Sequence, residues 1–369
     1  MRSIWDLANP QLKNLKAYEP GKPIEQTARE LQVAPESIVK LASNENPLGP
    51  SPTALAAIRE GAAEAHLYPD GSGFYLTEAI AGRLQVRPEN IVLGNGSNEV
   101  IEFLAHAFLN PGDNIVVSEF GFIAYKIIAT LFGAQTIEAP SSAYGHDLEA
   151  MLDRITPQTR LVIVANPNNP TGTLVSQEQI DRFMDRVPDR VVTVFDEAYF
   201  EYLDHAPDTL RYVRAGRNVV VLRTFSKIHG LAGLRVGYGV ASAAMIQILQ
   251  KTREPFNVNR LAQKAAVAAL KDQEHQTRTK SVTDSGRTQL TSDLEQFGLV
   301  VVPSVANFVM VRVGDGPETF RQLLARKVIV RPLVGYGLSE WVRISIGTTE
   351  QNQQCISRLK DVLSNTSQS

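Results

Sequence analysis

Apolar residues in the first two thirds of the chain fall into short, unbroken, β-rich runs, separated by longer stretches with helical spacing. Residues 91–93, 115–117, 161–164, 191–195 and 219–222 form such runs. Each is too short for a helix and fits a strand covered on both faces. Between and before them, residues 53–65, 100–109 and 123–132 carry apolar side chains three and four apart, as an amphipathic helix does. Strands alternating with helices predict an α/β fold, with a mostly parallel sheet flanked by helices. The pattern changes beyond about residue 253. A long helical region, residues 260–296, leads to strands at 300–302, 307–311 and 342–346 with helices between, which reads as a smaller α+β domain. The expected organisation is an N-terminal arm (1–40) packing on the small domain, a large domain (41–253) and a small C-terminal domain (254–369).

Composition narrows the partners. A chain of 369 residues exceeds one ordinary core, in keeping with two domains. With 43% hydrophobic residues, 21% charged residues and a net charge of −2, it is globular and gives no electrostatic reason to bind nucleic acid or an acidic membrane surface. The six histidines never take metal-ligand spacing, so no metal is expected. Cys355 is the only cysteine and cannot form a disulfide within the chain; a small buried residue in a late helix is its expected role. The first twenty residues lack the basic start and apolar core of a secretory signal, and no apolar stretch is long enough to span a bilayer, which makes the cytoplasm the expected location.

The chemistry concentrates in Thr224-Phe225-Ser226-Lys227, followed by Gly230, Gly233 and Arg235. A lysine becomes a carbonyl-capturing nucleophile when desolvation lowers its pKa. Hydroxyls from Thr224 and Ser226 and the Arg235 guanidinium are phosphate donors, and the glycines allow close backbone approach. Together they suggest covalently held pyridoxal phosphate, although a lone lysine in a loop is usually a surface residue. Upstream, the strand at 191–195 ends in Asp196-Glu197-Ala198-Tyr199. Ligands of open α/β sheets bind beyond the carboxyl ends of strands, where a carboxylate can hold a pyridine nitrogen protonated and a phenol can reach the ring hydroxyl. A helix cap is the plainer role for Asp196. The strand at 161–164 leads into a proline-stiffened loop, Asn166 to Gly172, from which the Asn169 amide can hold a ring oxygen; an ordinary turn is the alternative. Gly94-Asn95-Gly96-Ser97-Asn98-Glu99 runs from a strand into a helix and makes an anion site or a plain N-cap at Ser97. Glu99 stands where a dinucleotide fingerprint needs its third glycine, and the chain has no P-loop pattern.

In this order the four segments resemble the fold-type-I pyridoxal-phosphate aminotransferases, with their aspartate-aminotransferase-like, seven-stranded large domain. More narrowly, the chain resembles the histidinol-phosphate aminotransferases, through Tyr18-Glu19-Pro20-Gly21-Lys22, the block from Lys40 to Gly49 that contains Asn44, His66-Leu67-Tyr68-Pro69-Asp70-Gly71, and Trp341-Val342-Arg343-Ile344-Ser345-Ile346-Gly347. The resemblance implies that Lys227 carries the cofactor and then the substrate proton, that Asp196 pairs with the pyridinium nitrogen, and that Tyr199 and Asn169 hold the ring oxygen. It implies a phosphate cup of Gly96, Ser97, Asn98, Thr224, Ser226 and Arg235. It implies an aromatic ring over the cofactor at Phe120, where a tyrosine is common; a core phenylalanine is the alternative. Tyr68 would reach the cofactor phosphate of a second subunit, making a homodimer. Arg343 would grip the substrate carboxylate or phosphate, with Asn44, Arg331 and Tyr18 assisting. His229, two residues past the lysine, reads as a packing or surface residue.

The expected reaction is transamination between L-histidinol phosphate and 2-oxoglutarate, in histidine biosynthesis. An aromatic or arogenate/prephenate aminotransferase, a decarboxylase on the same fold, and a non-catalytic scaffold are the alternatives.

Overall fold

A computed structural model describes residues 3–17 and 20–366. Seven strands form the main sheet: β1 (Ile91–Gly94), β2 (Asn114–Ser118), β3 (Gln135–Ala139), β4 (Thr159–Ala165), β5 (Val192–Asp196), β6 (Val219–Thr224) and β7 (Gly237–Ala241), in the spatial order β1-β7-β6-β5-β4-β2-β3. β7 runs antiparallel to β1 and β6, and the pairs among β3, β2, β4, β5 and β6 are parallel. The unbroken apolar runs have a simple cause. Successive strand side chains point to opposite faces, and both faces here are covered. Val162, Val164, Val219 and Val221 join one apolar core, while Leu161, Ile163, Val220 and Leu222 join the other.

Two sheet strands lie outside the sequence expectation. β3 is an edge strand, Gln-Thr-Ile-Glu-Ala, with two exposed positions, so it lacks an apolar run. β7 carries Gly237 and Gly239, which depress strand propensity. Gly237 is required by proximity: a Cβ there would lie 2.4 Å from the Ser97 backbone nitrogen and 2.9 Å from the Arg223 carbonyl oxygen. The missing side chain lets the Gly96-Ser97 turn lie directly on the sheet.

The helical region 260–296 is two helices, Arg260–Lys271 and Gln273–Gln296, parted at Asp272, whose carboxylate caps the second by accepting from the His275 amide. The split also parts two cores. Ala262, Ala265, Ala266 and Ala269 pack beneath the large sheet, whereas Leu290 and Leu294 pack with the second one. The change of core therefore falls between these two helices, at Asp272.

The second sheet is antiparallel, in the order Val300–Val302, Phe308–Arg312, Leu338–Ser345, Arg331–Leu333, backed by Gln273–Gln296, Gly316–Ala325 and Thr349–Thr366. Cys355 is fully buried in this core, and burial pushes its thiol up to about 12. The N-terminal region serves both domains. Val39–Lys40 pairs in parallel with Val328–Ile329 of the small domain, and Ala28, Ile38 and Ala42 pack against Ile329. Earlier in the chain, Gln11 donates to the Leu131 carbonyl on the large domain. Among the described residues, no helix is long and apolar enough to cross a membrane, and no cluster of three or more potential metal ligands occurs.

Candidate active site

A cavity of about 530 Å³ opens at the carboxyl ends of β4, β5 and β6, between the two domains. Asn44, Gly96, Ser97, Asn98, Asn169, Asp196, Tyr199, Thr224, Ser226, Lys227, Arg235, Arg331 and Arg343 all line it. Residues as far apart in sequence as Gly21 and Arg343 meet there because strand ends and helix starts converge on one edge of the sheet.

Lys227 follows β6 by three residues, and its Nζ donates to the Ser43 carbonyl at 3.4 Å. Burial, reinforced by the nearby Arg343 cation, lowers its pKa to about 8, against the opposing pull of Glu45. The Nζ lies 5.5 Å from the centre of the Tyr199 ring. Tyr199 is buried, which pushes its phenol up to about 12, and its hydroxyl accepts from Asn44 Nδ2 at 2.8 Å.

Asp196 ends β5. Burial raises its pKa, while the Tyr125 hydroxyl, donating to Oδ2 at 2.7 Å, and the Ala198 amide pull the other way. Asp196 Oδ1 has no hydrogen-bond partner among the described residues. Its neighbour Glu197 is taken up elsewhere: it accepts from Arg223 at 2.8 Å and from Thr209 at 2.5 Å, and the guanidinium lies over the Phe200 ring. Of these two consecutive carboxylates, Asp196 is the one that lines the cavity.

The helix Ser97–Phe108 begins one residue after Gly96, which occupies the N-cap position at φ 79° without a side-chain cap bond. Ser97 is the first helical residue, so the plain N-cap alternative does not apply to it. Arg235, itself in the left-handed region at φ 57°, donates to Ser226 Oγ at 3.3 Å and to the Asn95 carbonyl at 3.3 Å. The Ser226 amide donates to Thr224 Oγ1 at 3.1 Å. Hydroxyls, a guanidinium and a helix start thus gather in one cup, where the helix's partial positive charge favours an anion. A Cβ on Gly96 would lie 2.5 Å from Arg235 Nη2, so a side chain there forces the guanidinium out of its present position.

Arg343 is buried on the second sheet. It donates to Asn169 Oδ1 at 2.5 Å and to the Ala42 carbonyl at 2.6 Å, crossing from the small domain to the large.

Phe120 is not at the cavity. The chain turns back after β2, with the Gly121 amide donating to the Ser118 carbonyl at 2.8 Å, and this turn sends Phe120 toward Tyr144 and Trp341. Phe122, two residues later, lines the cavity in its place. Sequence reasoning took the first aromatic after the strand and missed the reversal. It also missed Tyr125, although the Phe122 and Tyr125 pair at the start of the helix Ile123–Leu131 was a usable signal. Tyr68 lies outside the cavity, 78% exposed and stacked on Phe256. His229 is buried against Phe225, 4.0 Å from Glu201, and does not line the cavity. Tyr18 lies outside the described residues.

The family model for aminotransferase class I and II matches residues 36–359. The chain thus belongs to the class I and II aminotransferases. The histidinol-phosphate aminotransferase of Akkermansia muciniphila is 52% identical over 98% of this chain and 100% of its own length, and that of Moorella thermoacetica is 51% identical over 95% and 91%. This chain belongs to the histidinol-phosphate aminotransferase family. Among solved structures, histidinol-phosphate aminotransferase from Sinorhizobium meliloti, in complex with pyridoxal-5'-phosphate, superposes with a TM-score of 0.88 at 27% identity, covering 97% of this chain and 98% of that one. An aspartate aminotransferase from Thermus thermophilus with maleate, 22% identical, shares the fold at a TM-score of 0.82, covering 98% of this chain and 100% of its own.

Proposed function

We propose that this chain transfers the amino group of L-histidinol phosphate to 2-oxoglutarate, giving imidazole acetol phosphate and glutamate in histidine biosynthesis. The observation that carries the reading is the convergence, in one cavity, of a desolvated lysine, a buried carboxylate with an unpartnered oxygen, an anion cup and two arginines, in a chain about half identical to proteins bearing that name.

The residues fit pyridoxal phosphate. Asp196 Oδ1 is a buried acceptor without a donor, as a protonated ring nitrogen requires. The cup formed by Gly96, Ser97, Asn98, Thr224, Ser226 and Arg235 offers phosphate donors, and Phe122 offers a ring face. When bound, the cofactor supplies an electron sink that makes the α-proton of the amino donor removable. Asp196 would keep the ring nitrogen protonated, Tyr199 and Asn169 would hold the ring oxygen, and Lys227 Nζ would take the proton from the substrate α-carbon and return it. Arg343 grips a substrate anion, with Arg331 and Asn44 on the same wall.

Uptake of pyridoxal phosphate by the apoprotein tests the lysine. The neutral amine is the nucleophile, so the uptake rate should climb as pH approaches about 8 and level off above it. A rate still climbing at pH 10, as for an ordinary lysine, contradicts a desolvated Lys227. Gly96→Ala should weaken pyridoxal phosphate binding by about tenfold or more, because it adds backbone strain at φ 79° and displaces Arg235. An unchanged dissociation constant removes the cup from the argument.

For substrate choice, the cofactor-loaded protein is mixed rapidly with L-histidinol phosphate, glutamate or phenylalanine, without keto acid. Fast loss of the yellow absorbance with the first two, and slow loss with phenylalanine, is the expected result. The reverse order supports an aromatic aminotransferase.

We place Tyr68 at a second subunit, in a homodimer. Its exposed stack with Phe256, beside exposed Leu67, Phe74 and Tyr75, supports an apolar contact there. Mixing inactive Lys227→Ala and Tyr68→Ala subunits should then restore activity; mixtures that stay inactive argue against a shared site.

A further inference from the structure

We infer that Tyr125 is the positioning residue for Asp196, fixing which carboxylate oxygen meets the cofactor ring; the inference rests on the pyridoxal phosphate reading above. Tyr125 sits in the first turn of the helix Ile123–Leu131 and is 1% exposed. Asp196 lines the cavity; the Tyr125 hydroxyl donates to its Oδ2 at 2.7 Å, while its Oδ1 is buried and has no hydrogen-bond partner among the described residues.

The two oxygens thus have separate tasks. The terminal torsion of an aspartate is broad and roughly two-fold, so an unrestrained carboxylate offers either oxygen, at varying angle, to a ligand. A donor fixed on a helix removes that freedom. Tyr125 is itself held, with its ring edge-on to Phe122 at 5.7 Å and an interplanar angle of 87°. The residue beneath the carboxylate and the aromatic residue on the cavity wall therefore come from one helical turn.

Tyr125 also favours the ionised form of Asp196. Burial alone raises the Asp196 pKa, and the phenol bond counters it. Burial, and next the charge of Asp196, push the phenol well above its ordinary range, so the hydroxyl keeps its proton and remains the donor.

The test is a binding cycle on apoprotein. Dissociation constants are measured for pyridoxal phosphate and for its deaza analogue, in which a carbon replaces the ring nitrogen, with wild type, Tyr125→Phe, Asp196→Asn and the double variant. Tyr125→Phe should weaken pyridoxal phosphate about tenfold, as expected for loss of a bond to a charged acceptor. It should leave the deaza analogue unchanged and have no further effect in the Asp196→Asn background. Equal losses for both ligands, or no loss for either, overturn the inference, because a merely structural tyrosine cannot sense one ring atom. If Tyr125→Phe does not fold, Tyr125→3-fluorotyrosine, a stronger donor of nearly the same volume, should tighten pyridoxal phosphate alone. A wild type that binds neither ligand overturns the cofactor reading, and this inference with it.

Discussion

Lys227→Ala should lower kcat by about 10⁴-fold or more, the loss expected when one group serves as both nucleophile and proton carrier. No other amine can replace it. Among the described residues it is the lysine that lines the cavity, and burial with the Arg343 cation lowers its pKa to about 8, so the neutral amine is far more available near that pH than for an ordinary lysine. Overall structure should survive. The Lys227 side chain's hydrogen bond, to the Ser43 carbonyl, is long at 3.4 Å, and removing a buried cation relieves a desolvation cost. The variant should therefore melt within a few degrees of wild type, and a small primary amine added to the assay should restore part of the activity. Steady-state kinetics decide the matter: undiminished turnover would falsify the mechanism.

Arg343→Lys should lower kcat/KM by about 10²-fold or more for both the amino donor and 2-oxoglutarate. Charge is conserved in this substitution, and geometry is what changes. The guanidinium reaches Asn169 Oδ1 and the Ala42 carbonyl together, which fixes its plane on the cavity wall. An ammonium is a point donor and cannot satisfy those two oxygens and a carboxylate in the same arrangement. Two effects compete in stability. The buried carbonyl and amide oxygens lose good donors, at about 1–3 kcal/mol each if left unpaired, but a lysine at that depth can serve one of them. Catalysis should thus suffer far more than folding. Equal KM values for wild type and variant, with both substrates, would remove Arg343 from substrate binding.

The large sheet was legible because strands buried on both faces leave unbroken apolar runs, as at Leu161 to Val164. Asp196, Lys227 and Asn169 were legible because each follows such a run, and the carboxyl ends of these strands converge. What escaped depends on tertiary contact. β3 has an exposed pattern, and β7 has glycines whose purpose appears only beside Ser97. The break at Asp272 is a capping event inside a continuous helical periodicity. Phe120 and Phe122 are equivalent by composition; the hydrogen bond between Gly121 and Ser118 decides which faces the cavity.

Asn44 carries a consequence for anyone recombining this chain with a relative. Held at φ 54°, it binds Tyr199 through its amide nitrogen, while its backbone amide and Oδ1 meet Ser345 Oγ and its carbonyl meets Asn307. Tyr199 belongs to the large domain, and Ser345 and Asn307 to the small. A crossover placed in the linker between domains would look neutral in a contact map of either half. It would nonetheless graft this asparagine onto foreign partners, so a working chimaera has to inherit Asn44, Tyr199, Asn307 and Ser345 from a single parent.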